Sequence, residues 1–163
     1  MDDLHRLLAK EAITERLLGY ARGADRLDLD LIRDAFHPGA VADYGDMFHG
    51  TGEGFADFIG EVHPPMQTHT HHLSNISITV DGERAGSECY VIMHARTVGA
   101  DGVAHDTASH GRYVDAWERR DGEWRIGHRR YLHSLDELWR VETSLFPPGG
   151  SRDRDDPSYG VLA

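Results

Sequence analysis

Asp25 and the run His69-Thr70-His71-His72 are the residues best suited to chemistry in this sequence. Histidine exchanges a proton near neutral pH and also binds metals, and the chain carries 12 of them, so their placement matters. A strand of period two puts His69 and His71 on one side. His72 falls on the other side with Ile76, Ile78 and Val80. If the isoleucines face the core, parity selects His72 as the inward imidazole. A bulge between residues 72 and 76 would reverse the phase and select His71. Both readings stay open. An H-x-H pair also suggests metal, but Leu73-Ser74-Asn75-Ile76-Ser77 offers no carboxylate at the short spacing such barrels use, so no metal is expected.

Leu18, Ala21 and Asp25 stand at i, i+3 and i+7, which directs the carboxylate along the buried face of a helix. A carboxylate there is costly unless it is paired. It is an Asx turn, a structural ion pair, or the partner of a buried histidine. Further polar candidates share faces on later strands: Tyr90, Ile92 and His94; Ser109, Gly111 and Tyr113; Arg129 and Tyr131. The plain alternatives are a hydrogen-bonded core or interface histidine for His94 and a surface or intersubunit charge for Arg129.

The elements that must carry these residues can be read from periodicity. Residues 3–24 have helical spacing, with Leu4, Leu7 and Leu8 opening an apolar stripe that Ile13, Leu17, Tyr20, Ala21 and Ala24 continue. Asp28 or Asp30 caps a second helix with Leu31, Ile32, Ala35 and Phe36 on its apolar face, stopped by His37-Pro38-Gly39. A short strand over Ala40–Tyr44 leads to glycine-rich turns. A third helix carries Phe55, Phe58, Ile59 and Val62 and ends at Pro64-Pro65. Four β-rich stretches follow, about 68–80, 85–98, 105–119 and 123–134, punctuated by Asp81-Gly82, Gly99-Ala100-Asp101-Gly102 and Asp121-Gly122. Three helices and a long antiparallel meander predict an α+β domain over residues 1–145 with a strongly bent sheet. Residues 146–163, rich in proline, glycine and charge, are expected to be an extended or disordered tail.

With 17 Lys+Arg against 28 Asp+Glu, the net charge of −11 argues against nucleic acid and against an anionic membrane surface. Cys89 is the only cysteine, so an intramolecular disulfide and a cysteine zinc site are both excluded. A soluble, cytoplasmic protein is expected. No stretch approaches the roughly 20 apolar residues of a spanning helix.

Three segments carry a resemblance: AITERLLGYARGAD, HHLSN and DAWERRDGEWRIGHRR. They resemble the SnoaL-like branch of the nuclear-transport-factor-2 superfamily over about residues 5–135. In pattern they are most similar to scytalone dehydratase and hexachlorocyclohexane dehydrochlorinase. The resemblance implies a cone-shaped α+β barrel. It also implies a cofactor-independent enzyme in which Asp25 orients His71 as a base, with His72 as the misregistration risk. Tyr44 and His94 match substrate-contacting positions of the dehydratase, and Arg129 matches a chloride-receiving arginine of the dehydrochlorinase. The lysine of that enzyme's first helix is Tyr20 here and its first-strand tryptophan is absent, which speaks against dehydrochlorination. The resulting expectation is a lyase eliminating water from a small carbonyl-bearing cyclic molecule. In it Tyr44, with His94 or Tyr113, assists, and Tyr20, Tyr113, Arg129 and Ile92 line the substrate site. The alternatives are an isomerase or aldol-type cyclase, or a non-catalytic ligand-binding or dioxygenase-β-like subunit. A homotrimer is implied by the same resemblance.

Overall fold

Ala9, Ile13, Leu17, Tyr20, Ala21 and Ala24 form the buried stripe of α1 (Asp3–Arg26) in the computed structural model, which describes residues 2–142 and 146–162. The helix is continuous. Asp2 caps its start by accepting from the His5 amide, and Leu27, in the left-handed conformation, closes its end by donating to the Gly23 carbonyl. Leu4, Leu7, Leu8 and Leu18 lie outside the stripe and are largely exposed.

α2 (Leu29–Asp34) ends earlier than the sequence predicts, and Phe36, His37, Pro38 and Gly39 open β1 (Phe36–Asp43) instead of stopping the helix. The reason is pairing. β1 runs parallel to the last strand, with a register shift between Phe36 and Val41 that accommodates Pro38 and the positive φ of Gly39. β2 (His49–Thr51) and α3 (Gly52–Val62) follow, and the Thr51 hydroxyl caps α3 at Gly54.

The four long stretches are β3 (Thr68–Asp81), β4 (Arg84–Val98), β5 (Ala104–Arg120) and β6 (Glu123–Arg140), joined as successive antiparallel hairpins. Asp121 and Gly122 both have positive φ, as a two-residue hairpin turn requires. The full order is β2-β1-β6-β5-β4-β3, a curved, unclosed sheet. Its inner face packs on α1 and α3 through Cys89, Val91, Tyr113, Trp117 and Ile126. This is the predicted α+β class.

β3 carries one extra residue between Ser74 and Ser77, where β4 advances only from Tyr90 to Glu88. Asn75 takes up the bulge with φ 51°. His69, His71 and Leu73 therefore share the inner face with Ile76, Ile78 and Val80, and His72 is exposed. The bulge decides the open question of parity in favour of His71.

The tail does not stay extended. Residues 146–162 fold back on the end of α1 and the start of α2, finishing in a short helix, α4 (Ser158–Val161). Charge complementarity holds it there: Arg154 and Tyr159 reach Asp28, Arg22 donates to Ser158, and Arg26 faces Asp156. The expected boundary at residue 145 lies outside the described residues. No described helix is long and apolar enough to cross a membrane.

Candidate active site

The last turn of α1 and the first half of β3 place Asp25 beside two imidazoles. Asp25 Oδ1 lies 2.8 Å from His71 Nδ1, and Asp25 Oδ2 accepts from the His71 amide at 3.1 Å. A carboxylate accepts, so Nδ1 carries the proton and Nε2 keeps the lone pair. His69 Nδ1 lies 3.3 Å from the Ala24 carbonyl and 3.7 Å from Asp25 Oδ1. Because a carbonyl also accepts, Nδ1 is the protonated nitrogen here too. The bond occupies one of the carbonyls that a helix end leaves unpaired.

His69 is fully enclosed and His63 packs edge-on against it, ring centroids 4.5 Å apart. Burial, followed by the neighbouring His71, pulls His69 down to about 2 and His63 to about 4, so both are neutral at ordinary pH. Asp25, His69 and His71 hold their ligand atoms within 4.8 Å of one another and form the described group able to hold a metal ion. A cation there would have to displace the Asp25–His71 and His69–Ala24 hydrogen bonds.

The opposite wall is aromatic. Tyr20 and Tyr44 hydroxyls meet at 2.6 Å, Tyr113 packs edge-on to Tyr20, and Tyr44 stacks on Phe55 at 4.0 Å. Beneath them Arg129, wholly buried, makes a two-pronged bond to Asp115 at 2.8 and 2.7 Å. Its guanidinium carbon lies 4.3 Å from the Tyr20 ring and 4.0 Å from the Tyr113 ring. Burial raises all three phenols above their ordinary range, while Arg129 acts in the other direction. They are protonated hydrogen-bond donors.

Between these walls lies a cavity of about 100 Å³, lined also by Ile59, Val91, Met93, Ser109 and Tyr131 among others. Gly111 makes room for Tyr131: a Cβ there would stand 2.3 Å from that ring.

Of the residues expected at a site, the structure gathers Asp25, His71, Tyr44, Tyr20 and Tyr113 in and around this cavity. Arg129 lies behind the tyrosines, not among the residues lining the cavity, so direct substrate contact is corrected to support from below. His94 and Ile92 are corrected outright. His71 pairs with Met93, and His94, one residue on, lies exposed on the outer face against His72, ring centroids 5.6 Å apart. Parity correctly puts Ile92 and His94 on one face, and that face is the outer one. Val91 and Met93 take the inward positions. The cavity also takes in His63 and three candidates to which the sequence assigns no role, His69, Ser109 and Tyr131. Ser109 and Tyr131 were legible as face-mates of Tyr113 and Arg129, whereas nothing local marked His63.

Solved structures share this fold. A protein named for scytalone dehydratase from Novosphingobium aromaticivorans is 20% identical, with TM-score 0.72, covering 90% of this chain and 97% of its own. A type-3 hexachlorocyclohexane dehydrochlorinase from Novosphingobium barchaimii is 19% identical, with TM-score 0.74, covering 90% and 99%. A protein named as an aromatic ring hydroxylase from Novosphingobium aromaticivorans is 27% identical, with TM-score 0.67, covering 80% and 91%. No curated protein matches the chain. The SnoaL-like domain family matches residues 5–130, most of the sequence and including Asp25 and His71, and the chain belongs to that family.

Proposed function

We propose that the protein is a cofactor-independent lyase that eliminates water from a small, carbonyl-bearing cyclic molecule, with His71 as base. The observation that carries this reading is the 2.8 Å bond between Asp25 Oδ1 and His71 Nδ1, which leaves Nε2 as the imidazole's acceptor at the cavity. Asp25 sets the tautomer and stabilises the imidazolium that forms when Nε2 takes a proton α to the carbonyl. The developing enolate needs donors that stay protonated, and the buried phenols supply them. In this scheme Tyr44, hydrogen-bonded to Tyr20, keeps its proton as such a donor, and the proton taken by His71 passes to the departing hydroxyl, so that water leaves and the base is regenerated.

Cavity size narrows the substrate. An apolar cavity of about 150 Å³ holds benzene; at about 100 Å³ this one encloses no more than part of a single substituted ring unless its walls move, which disfavours an extended polycycle. The proposed partner is thus a small, largely apolar molecule. The outer sheet face carries exposed Tyr90 and Val114, which suits association of copies, and the trimer implied by the family resemblance is the state to test.

The test is turnover of a panel of small cyclic β-hydroxy ketones, read by product mass. Loss of one water supports elimination, whereas an isomer of unchanged mass would replace it with isomerase chemistry at the same base. Asp25→Asn and His71→Ala should each lose about 10²–10⁴ of the rate while remaining folded. Undiminished turnover in folded His71→Ala would sink the scheme.

A further inference from the structure

The tail's Arg152 donates hydrogen bonds to three backbone carbonyls. Nε donates to the Asp25 carbonyl at 3.1 Å, and one terminal nitrogen donates to the carbonyls of His63 at 2.9 Å and Met66 at 2.7 Å. These belong to the two segments that carry the base pair. Asp25 lies in the last turn of α1, and His63–Met66 is the turn from α3 into β3, which reaches His71 five residues later. We infer that Arg152 is a positioning residue that sets the spacing between the end of α1 and the start of β3, and thereby holds the Asp25–His71 hydrogen bond.

The physical case has three parts. The carbonyls in the last turn of a helix lack partners within the helix. In α1, Gly23 receives the Leu27 and Asp28 amides and Ala24 receives His69, which leaves Asp25 to Arg152. A cation at a helix C-terminus is also favoured by the helix dipole. Finally, the planar guanidinium directs its donors along fixed lines, so it spans two segments at a set separation, as a flexible ammonium does not. The rest of the tail anchors Arg152 through Arg154 and Tyr159 on Asp28, contacts that do not involve Asp25 or β3.

This deepens the reading of His71 as base, yet its test needs no substrate. The readout is the downfield Nδ1–H resonance of ¹⁵N-labelled His71, assigned by its loss in His71→Ala, and its exchange rate with water. The full chain and Arg119→Ala, which alters an exposed arginine paired with Glu83 away from the tail, should show the resonance with matching exchange. Arg152→Ala should keep its near-ultraviolet circular dichroism while His71 Nδ1–H exchanges faster by about tenfold or more. Arg152→Lys should show a smaller acceleration in the same direction, and it serves if Arg152→Ala fails to fold. Exchange in a folded Arg152 variant equal to that of the full chain would overturn the inference. So would absence of the resonance from the full chain. Failure of the elimination chemistry alone would leave it standing.

Discussion

Both oxygens of Asp25 accept hydrogen bonds from His71, one from its ring and one from its amide. In the proposed scheme the carboxylate orients the imidazole and the imidazole exchanges a proton. At this scale the tyrosines divide in a similar way: the proposed scheme gives Tyr44 the donor hydroxyl, while Tyr20 and Tyr113 flank the buried Arg129. Tyr44→Phe should lower kcat by about 10²–10³, the usual cost of removing one donor to a developing oxyanion. His94→Ala, on the exposed outer face, should leave kcat and KM within about twofold of the parent. Steady-state kinetics on the two variants side by side check the assignment, and a crippled His94→Ala would contradict the placement of that residue.

Among the elements, β3 and β5 each contain a departure from ideal pairing that bears on the site. The β3 bulge at Asn75 brings His71 and Ile76 to the same face despite their odd separation. The β5–β6 register shifts between His110 and Gly111, just where Tyr131 crosses Gly111. Alanine at position 111 would meet Tyr131 at 2.3 Å and the Leu132 carbonyl at 2.7 Å, so something must move. Overpacking of this kind costs about 1–3 kcal/mol. Gly111→Ala should lower the unfolding midpoint in urea and raise KM by displacing a wall of the cavity. Unchanged stability together with unchanged KM would show that Tyr131 has room to spare.

For the whole molecule, the two buried neutral imidazoles couple folding to pH. The unfolded chain protonates histidine below about 6.5, whereas the folded chain keeps His63 neutral to about 4 and His69 to about 2. Between those limits the unfolded state binds more protons, so stability rises with pH. It is fully present above about 6.5 and declines as pH falls through 4 toward 2. Urea unfolding at about pH 7.5 and about pH 5 should show a lower midpoint in acid. His69→Asn, which carries no ionisable ring, should lose part of that difference. Equal midpoints for the parent at both values would contradict the enclosed, neutral state of His69.

The sequence by itself determined the local order: the helical stripe from Ile13 to Ala24, the aspartate–glycine turns and four long strands in succession, whereas Asp28, expected to cap α2, precedes that helix without a side-chain cap bond. The stripe, the turns and the strands follow from periodicity or from φ preferences that act over a few residues. It also marked Asp25, through its helix position and its family resemblance, although Leu18, used to set that position, faces outward. What only the tertiary structure decided was phase and contact between distant segments. A single extra residue at Asn75 chose His71 over His72, and the β3–β4 register then chose Met93 over His94. The tail's docking likewise depends on Asp28 and three carbonyls more than a hundred residues away or nearly so, a complementarity that its own proline- and glycine-rich composition does not announce. Period-two patterns specify which residues share a face; which face meets the core is set by the partner strand and by what packs against it.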